Sequence, residues 1–316
     1  MPEPLAYLNG KITPISQATL PIVDMAIVAG ATVTETTRTF RHQPFRLKDH
    51  IDRLFRSLKA VGFELDLTRD TLTELSQEIV EHNARLIPAG HDLGLVHFVS
   101  AGQNLTYLGI AGEATYRKPT ICVHTFPLAF ELWAEKLRQG QHLVTPSIRH
   151  VPAECLDPKI KHRSRLASYL ADEQARLVDP KASALLLDSH GNLTETSTAN
   201  FFIVRDRRIL TPQRNCSLGG ISQRVVVELA DQLGLDYEER DLQLYDALNA
   251  DEAFTSCTTY CLLPVTKLNR QPIGNGAPGP IFQQLLQAWS QLARVDIADQ
   301  THRAAEERIA EFHANT

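Results

Sequence analysis

The chain has 316 residues, 43% of them hydrophobic and 22% charged, which is the composition of an ordinary globular protein and not of a disordered, fibrous or membrane-embedded one. A formal net charge of -5 supplies no broad basic field, which argues against nucleic acid as a partner. The most apolar early stretch, Leu20 to Val33, is broken by Asp24 and Gly30, so no run is long enough to cross a bilayer and no membrane association is expected.

The first residues, Met1 to Pro4, lack the basic and apolar regions of a secretory signal, and the five cysteines are scattered at 122, 155, 216, 257 and 261. This pattern points to a cytoplasmic protein without structural disulfides. Cys257 and Cys261 form a lone C-x3-C with no second pair or nearby histidine, so no metal site is expected.

Along the chain, Tyr7 to Ile12 sets Asn9-Gly10 between two short apolar segments, the form of a tight β-hairpin. From Leu47 to Gly62, the residues Leu47, Ile51, Leu54, Phe55, Leu58 and Val61 fall at helical spacing, and Gly62 is placed to end that helix. A second helix is expected over 68–86, followed by strands at 93–100 and 120–126 with a polar loop between them. The pattern then breaks near Phe126 to Trp133, where an interdomain connection is expected.

The second half begins with a strand over 141–148 and a helix over 163–177. Strands at 184–188, 201–205 and 209–211 follow, then helices at 222–233, 281–292 and 301–313. Turns at Asp188 to Asn192 and Arg205 to Arg208 make this half hairpin-rich, which disfavours a doubly wound nucleotide fold. No internal repeat is present. Phosphate-loop, H-E-x-x-H, G-x-S-x-G and G-x-G-x-x-G motifs are all absent.

Chemistry is suggested first by Asp157 to Arg165, where a lysine ammonium is expected to be crowded by Lys159, Arg163 and Arg165. Cationic neighbours favour the neutral, nucleophilic amine, although a basic run is more often a solvated helix start. Glu195 lies in a hydroxyl-rich stretch that leads into the apolar run Phe201 to Val204. Gly219-Gly220 opens a helix whose first amides suit a phosphate, or is simply a glycine turn with a serine cap. Thr255 to Thr259 adds hydroxyls before a strand that continues to Val265. Arg53 sits at the edge of the apolar stripe of its helix. A lysine, a carboxylate, an arginine and two amide-rich turns are what a pyridoxal phosphate site needs.

In order and spacing these segments resemble the fold-type IV pyridoxal-phosphate enzymes, which include branched-chain aminotransferases, D-amino acid aminotransferases and 4-amino-4-deoxychorismate lyase. Asp49 to Leu54 resembles the helix whose arginine pairs with the cofactor phosphate. Ile160-Lys161-His162 is similar to the Schiff-base lysine segment. Leu193 to Glu195, followed by Ala199 to Phe202, resembles the segment whose glutamate faces the pyridine nitrogen. Leu218 to Arg224 and Ser256 to Val265 resemble the two remaining phosphate-binding turns.

The resemblance implies an α+β fold of two domains: a small N-terminal α/β domain over 1–125, a connecting loop over 126–134, and a larger β-rich pseudo-barrel domain with flanking helices over 135–316. It implies pyridoxal 5'-phosphate as cofactor, Lys161 as catalytic residue, and Arg53, Glu195, Ile221, Ser222 and Thr258 as further cofactor contacts. Thr259 is expected to frame the substrate carboxylate. Strand alternation sets Thr32, Thr34 and Thr36 on one face, and His97 is expected to approach the same pocket, making Thr34, Thr36 and His97 substrate residues. Arg165 is a candidate for a second substrate carboxylate or for the cofactor's phenolic oxygen. Two departures matter: Lys161 is followed by His162 to Arg165 where branched-chain enzymes carry a Gly-Gly-Asn-Tyr run, and Ala101 aligns where D-amino acid enzymes use an arginine.

The activity implied is transamination between an amino acid or amine and a 2-oxo acid, in a homodimer. Two alternatives stand beside it: a lyase of the aminodeoxychorismate type that releases pyruvate, which the Lys161 to Leu166 segment resembles, and a non-catalytic homologue that keeps the cofactor.

Overall fold

The computed structural model describes residues 3–110 and 118–315. Part of the loop expected between the strands at 93–100 and 120–126, residues 111–117, lies outside the described residues. The chain divides into two compact units, Met1–Leu128 with Ile160–Ser164, and Ala129–Lys159 with Arg165–Thr316.

The first unit opens with β1 (Leu5–Leu8) and β2 (Lys11–Pro14), joined at Asn9 and Gly10. Both turn residues have positive φ, 47° and 93°, as the tight hairpin requires. A short α1 (Met25–Val28) precedes β3 (Thr32–Phe40) and β4 (Gln43–Pro44), and α2 (Leu47–Val61) and α3 (Arg69–Ala84) follow. Then come β5 (Leu93–Ser100) and β6 (Thr120–Pro127), completing a sheet in the order β2-β1-β6-β5-β3-β4. The stripe Leu47, Ile51, Leu54 and Leu58 of α2 packs with Val33, Leu95, Val99, Ile121 and Val123 from one face of that sheet. Gly62 ends α2 in the left-handed region (φ 71°), its N–H returning to the Leu58 and Lys59 carbonyls.

Residues 160–164 return to this unit instead of starting a helix. Their backbone is drawn to β3, where Thr34 N–H donates to the Lys161 carbonyl at 2.9 Å and Thr32 Oγ1 accepts from Arg163 N–H at 3.0 Å. The helix expected from residue 163 therefore begins at Leu166.

The second unit contains α4 (Ala134–Gln139), β7 (Gln141–Val144), α5 (Leu166–Val178), β8 (Ser183–Leu187), β9 (Leu193–Thr196), β10 (Asn200–Arg205) and β11 (Arg208–Thr211). It continues through α6 (Ile221–Gln232), β12 (Tyr237–Glu239), α7 (Leu244–Leu248), β13 (Glu252–Cys257), β14 (Cys261–Leu268), β15 (Gln271–Pro272), α8 (Pro280–Ala293) and α9 (Ile297–Asn315). The sheet order is β12-β11-β10-β13-β14-β7-β8-β9, and β9 also pairs with β10 through Asn200 and Glu195, closing the strands into a barrel. Leu143, Leu185, Leu193, Phe201, Ile203 and Val265 belong to its buried core. The alternate residues Phe202 and Phe254 stack 4.8 Å apart, with Phe282 of α8 beyond them.

Two helices depend on distant or local carboxylates. Glu252 of β13 accepts from the first amides of α8, Ile281 and Phe282, each at 2.9 Å. Asp296 accepts from Asp299 N–H at 3.0 Å, so the last helix starts earlier than the periodicity from residue 301 indicates. The strand expected over 141–148 stops at Val144, because Thr145 N–H turns to the Asn269 side chain and Pro146 has no N–H to continue the ladder.

Candidate active site

In the first unit, the antiparallel register pairs Glu35 with His97 and Thr34 with Phe98. Side chains opposite one another point to the same face of a sheet. Glu35 and His97 therefore face α2 and α3, together with Val33 and Val99, while Thr34 and Thr36 lie on the other face. His97 Nε2 is 2.7 Å from Ser76 Oγ of α3, and the ring is fully buried. The expectation that His97 shares a pocket with Thr34 and Thr36 is corrected by strand parity.

Arg53 is buried at the edge of the α2 stripe. Its Nε donates to Glu35 Oε1 at 2.6 Å and its Nη2 to Oε2 at 3.0 Å, while His50 Nδ1 lies 2.8 Å from Oε2. Burial pushes the Glu35 carboxyl upward, but the Arg53 charge and the hydrogen bonds from His50 and Arg53 outweigh it, and the group sits well below the usual carboxylate range. Burial, aided by the charges of Arg53 and Lys161, holds His50 below its usual value despite Glu35. Facing a carboxylate, which only accepts, His50 Nδ1 is the donor. Glu35 and His50 were not singled out from the sequence, although a glutamate among strand threonines and a histidine three residues before Arg53 are the traces they leave.

One helical turn beyond Arg53, Ser57 Oγ accepts from Lys161 N–H at 3.3 Å, so the Lys161 backbone and Arg53 are brought to neighbouring positions on α2. Lys159 pairs with Asp157 at 3.2 Å, Arg165 is exposed at the start of α5 in the second unit, and Arg163 stays with Lys161. Arg163 Nε donates to Thr34 Oγ1 at 3.2 Å, and its guanidinium stands 5.7 Å from the Phe98 ring centre, on the face that carries Thr34 and Thr36. The Thr34 hydroxyl itself donates to the His97 carbonyl at 2.9 Å.

In the second unit, Glu195, Asn200 and Ser256 lie in a row across β9, β10 and β13. Glu195 Oε2 accepts from Leu218 N–H at 3.1 Å and from Asn200 Nδ2 at 3.3 Å. On its other oxygen, Oε1, His150 Nε2 approaches to 3.5 Å. Asn200 Nδ2 also donates to the Leu218 carbonyl at 2.8 Å, tying β10 to the loop before α6. At Gly220 a Cβ would come within 2.1 Å of Asn200 Oδ1, so only glycine lets this loop approach so closely. Burial lowers the His150 imidazolium, but Glu195, by hydrogen bond and by charge, raises it above the ordinary histidine value.

Gly220 has no side chain with which to cap α6, so Ile221 and Ser222 bring their amides to the positive end of a twelve-residue helix. Thr258 and Thr259 form the turn between β13 and β14, next to the row that carries Glu195. Among the described residues, Ser256 Oγ is buried without a hydrogen-bond partner two positions before Thr258. Helix amides, hydroxyls and an aimed carboxylate at one end of the barrel fit a phosphorylated heteroaromatic base.

The family described as amino-transferase class IV matches residues 32–268. A Methanocaldococcus jannaschii protein, provisionally named a branched-chain-amino-acid aminotransferase, is 31% identical over 280 residues, covering 88% of this chain and 93% of its own. The D-alanine aminotransferase of Bacillus licheniformis is 28% identical over 278 residues, with 88% and 93% covered. Among solved structures, a branched-chain amino acid aminotransferase of the organism abbreviated T.th., with pyridoxamine 5'-phosphate, superposes with a TM-score of 0.81 at 26% identity, covering 93% of this chain and 95% of that one. The Escherichia coli branched-chain enzyme shares the fold, with a TM-score of 0.83. With the family matched across both units, this chain belongs to the class IV aminotransferases, pyridoxal-phosphate-dependent enzymes that move an amino group between an amino acid and a 2-oxo acid.

Proposed function

We propose that this aminotransferase works through Lys161, with Glu195 facing the cofactor ring nitrogen and Arg53, the Ile221 and Ser222 amides and the Thr258 hydroxyl holding the phosphate. The observation that carries this reading is Glu195, a half-buried carboxylate whose two oxygens are directed by Leu218, Asn200 and His150 at the mouth of the α6 amides. Pyridoxal phosphate, when bound, supplies an aldehyde that condenses with amines and a ring that accepts the electron pair left at the substrate Cα.

Lys161 presents Nζ as the amine of the chain. Once an incoming amino donor has displaced it, Nζ is a base that takes the proton from the substrate Cα and holds it for return. Ser57 and Thr34 fix the Lys161 backbone through its N–H and its carbonyl, which limits where Nζ can reach. Glu195 keeps a proton on the ring nitrogen, and Arg53 meets the phosphate as a charge-assisted donor.

The substrate carboxylate is assigned to Thr259 and to Arg163. Arg163 is included because its guanidinium lies with Thr34 and Thr36, while Arg165 remains the candidate for a second substrate carboxylate. A homodimer is supported by α5, which exposes Leu166, Tyr169, Leu170 and Leu177 along one side.

Absorption spectroscopy tests the reading. The purified protein should show a yellow band that borohydride traps in the wild type and not in Lys161→Ala. Amino acids should bleach that band to the pyridoxamine form. Pyruvate release without any amino acceptor would replace the transaminase with a lyase, and failure to take up cofactor would end the proposal.

A further inference from the structure

We propose that His150, carrying a proton on both ring nitrogens, is the counter-ion that orients the Glu195 carboxylate; this rests on the role given to Glu195 above. His150 is a positioning residue, since it acts on the reaction through Glu195.

Each ring nitrogen of His150 faces an oxygen. Nδ1 lies 2.9 Å from the Val151 carbonyl, which can only accept, so Nδ1 carries a proton. Nε2 then faces Glu195 Oε1 at 3.5 Å. With one proton on the ring, Nε2 would turn a lone pair toward a carboxylate, and with two it turns a cationic N–H. The second arrangement is attractive. Both side chains are mostly out of water, 16% and 18% exposed, so solvent does not fully screen it.

The position of the ring is fixed independently. His150 N–H donates to the Leu187 carbonyl at the end of β8 at 2.9 Å, so the imidazole is anchored from its own backbone. The groups facing it are Glu195 from β9 and Asp188 from the β8–β9 turn, both of which favour the protonated ring. Asp188 Oδ1 is occupied by the N–H groups of His190 and Asn192, each at 2.8 Å, which leaves its charge in place without bringing it onto the ring. Cys216 is affected by the charges of Asp188, Asp241 and Glu195; it is held as a thiol, pushed up to about 11 first by burial.

The donors on Glu195 divide its oxygens. Leu218 and Asn200 hold Oε2, and His150 is on Oε1. A carboxylate gripped from two directions has little freedom to rotate, which is what a group that must meet one ring nitrogen requires.

Side-chain NMR titration of the histidines in the ligand-free full chain tests this directly, with His150→Gln used for assignment. His150 should titrate above an ordinary histidine in the wild type and fall by about one pH unit in Glu195→Gln. An unchanged titration in Glu195→Gln would overturn the proposal. In the holoenzyme, His150→Gln should lower kcat about tenfold with the donor KM nearly unchanged, and His150→Arg, a permanent cation, should recover most of that loss. Equal impairment by Gln and Arg, with melting temperatures unchanged, would mean a packing role and overturn it as well. If Glu195→Gln shifts the His150 titration but leaves activity and the cofactor band untouched, the assignment of Glu195 fails while the ion pair stands.

Discussion

The Arg53 guanidinium meets both carboxylate oxygens of Glu35, Nε at 2.6 Å from Oε1 and Nη2 at 3.0 Å from Oε2. Both residues are buried, one on α2 and the other on β3. A two-point contact fixes the plane of a guanidinium as well as its place, so Glu35 sets the direction in which Arg53 is presented.

Removing that partner is expected to be costly. Glu35→Gln leaves a buried cation without its anion and should destabilise the protein by about 3–5 kcal/mol, measured by urea unfolding of the ligand-free form at pH 7. A loss below about 1 kcal/mol, the range of an exposed pair, would show that the pair is not a structural linchpin. The folded Glu35 value lies below the unfolded 4.5, so its stabilisation is complete above 4.5 and is lost as acid approaches the lower folded value.

His97 predicts a second acid-dependent loss in a different window. Burial brings it down from 6.5 to about 4, outweighing the opposing charge of Glu35. Among the described residues its Nδ1 is buried without a partner, so a second proton would be an uncompensated charge. The unfolded chain takes up that proton first, and stability should fall as pH drops from 6.5 toward 4, by about 3 kcal/mol in all. Unfolding curves of His97→Phe across this window should be flatter than those of the wild type; parallel curves would count against the assignment.

Gly220→Ala should damage cofactor binding more than folding. The new Cβ meets Asn200 Oδ1, and Asn200 is the residue that joins Glu195 to the Leu218 loop. Overpacking of this kind costs about 1–3 kcal/mol, here spent on moving the loop. Titration of the ligand-free protein with cofactor, followed by absorbance, should show an affinity at least about tenfold weaker. Wild-type affinity would mean that the loop yields without disturbing the α6 amides.

The exposed face of α5 predicts the effect of a single charge on assembly. Leu170→Asp should convert a dimer to a monomer in analytical ultracentrifugation while leaving the circular dichroism of the chain intact, because Leu170 is 44% exposed and contributes little to the core of its own chain. An unchanged sedimentation coefficient would place the subunit contact elsewhere.

Much of this was legible where the signal is local. Asn9-Gly10, the α2 stripe and Gly62 each act through neighbours a few residues away, and their geometry follows from residue type. The face of His97 was not legible, because alternation within β5 says which residues group together but not which group faces the helices. That depends on the pairing of Glu35 with His97, 62 positions apart in a register set by the whole sheet. The same limit hid the start of α5. A basic run ahead of a helical pattern reads as part of the helix, and the attraction of residues 160–164 to β3 leaves no mark in local periodicity. Glu35, His50 and His150 were missed because each acquires its significance from a partner on another element.

The return of residues 160–164 to the first unit bears on how the protein is made. Arg163 bonds Thr32 across 131 residues of sequence, so the outer edge of β3 waits until more than half of the chain has left the ribosome. Until then β3 carries unpaired backbone groups beside Thr32 and Thr34, an opening for association with other nascent chains. Truncation before Ile160 would deprive the first unit of this late-arriving segment, so release of a prematurely terminated product would favour aggregation over a stable fragment.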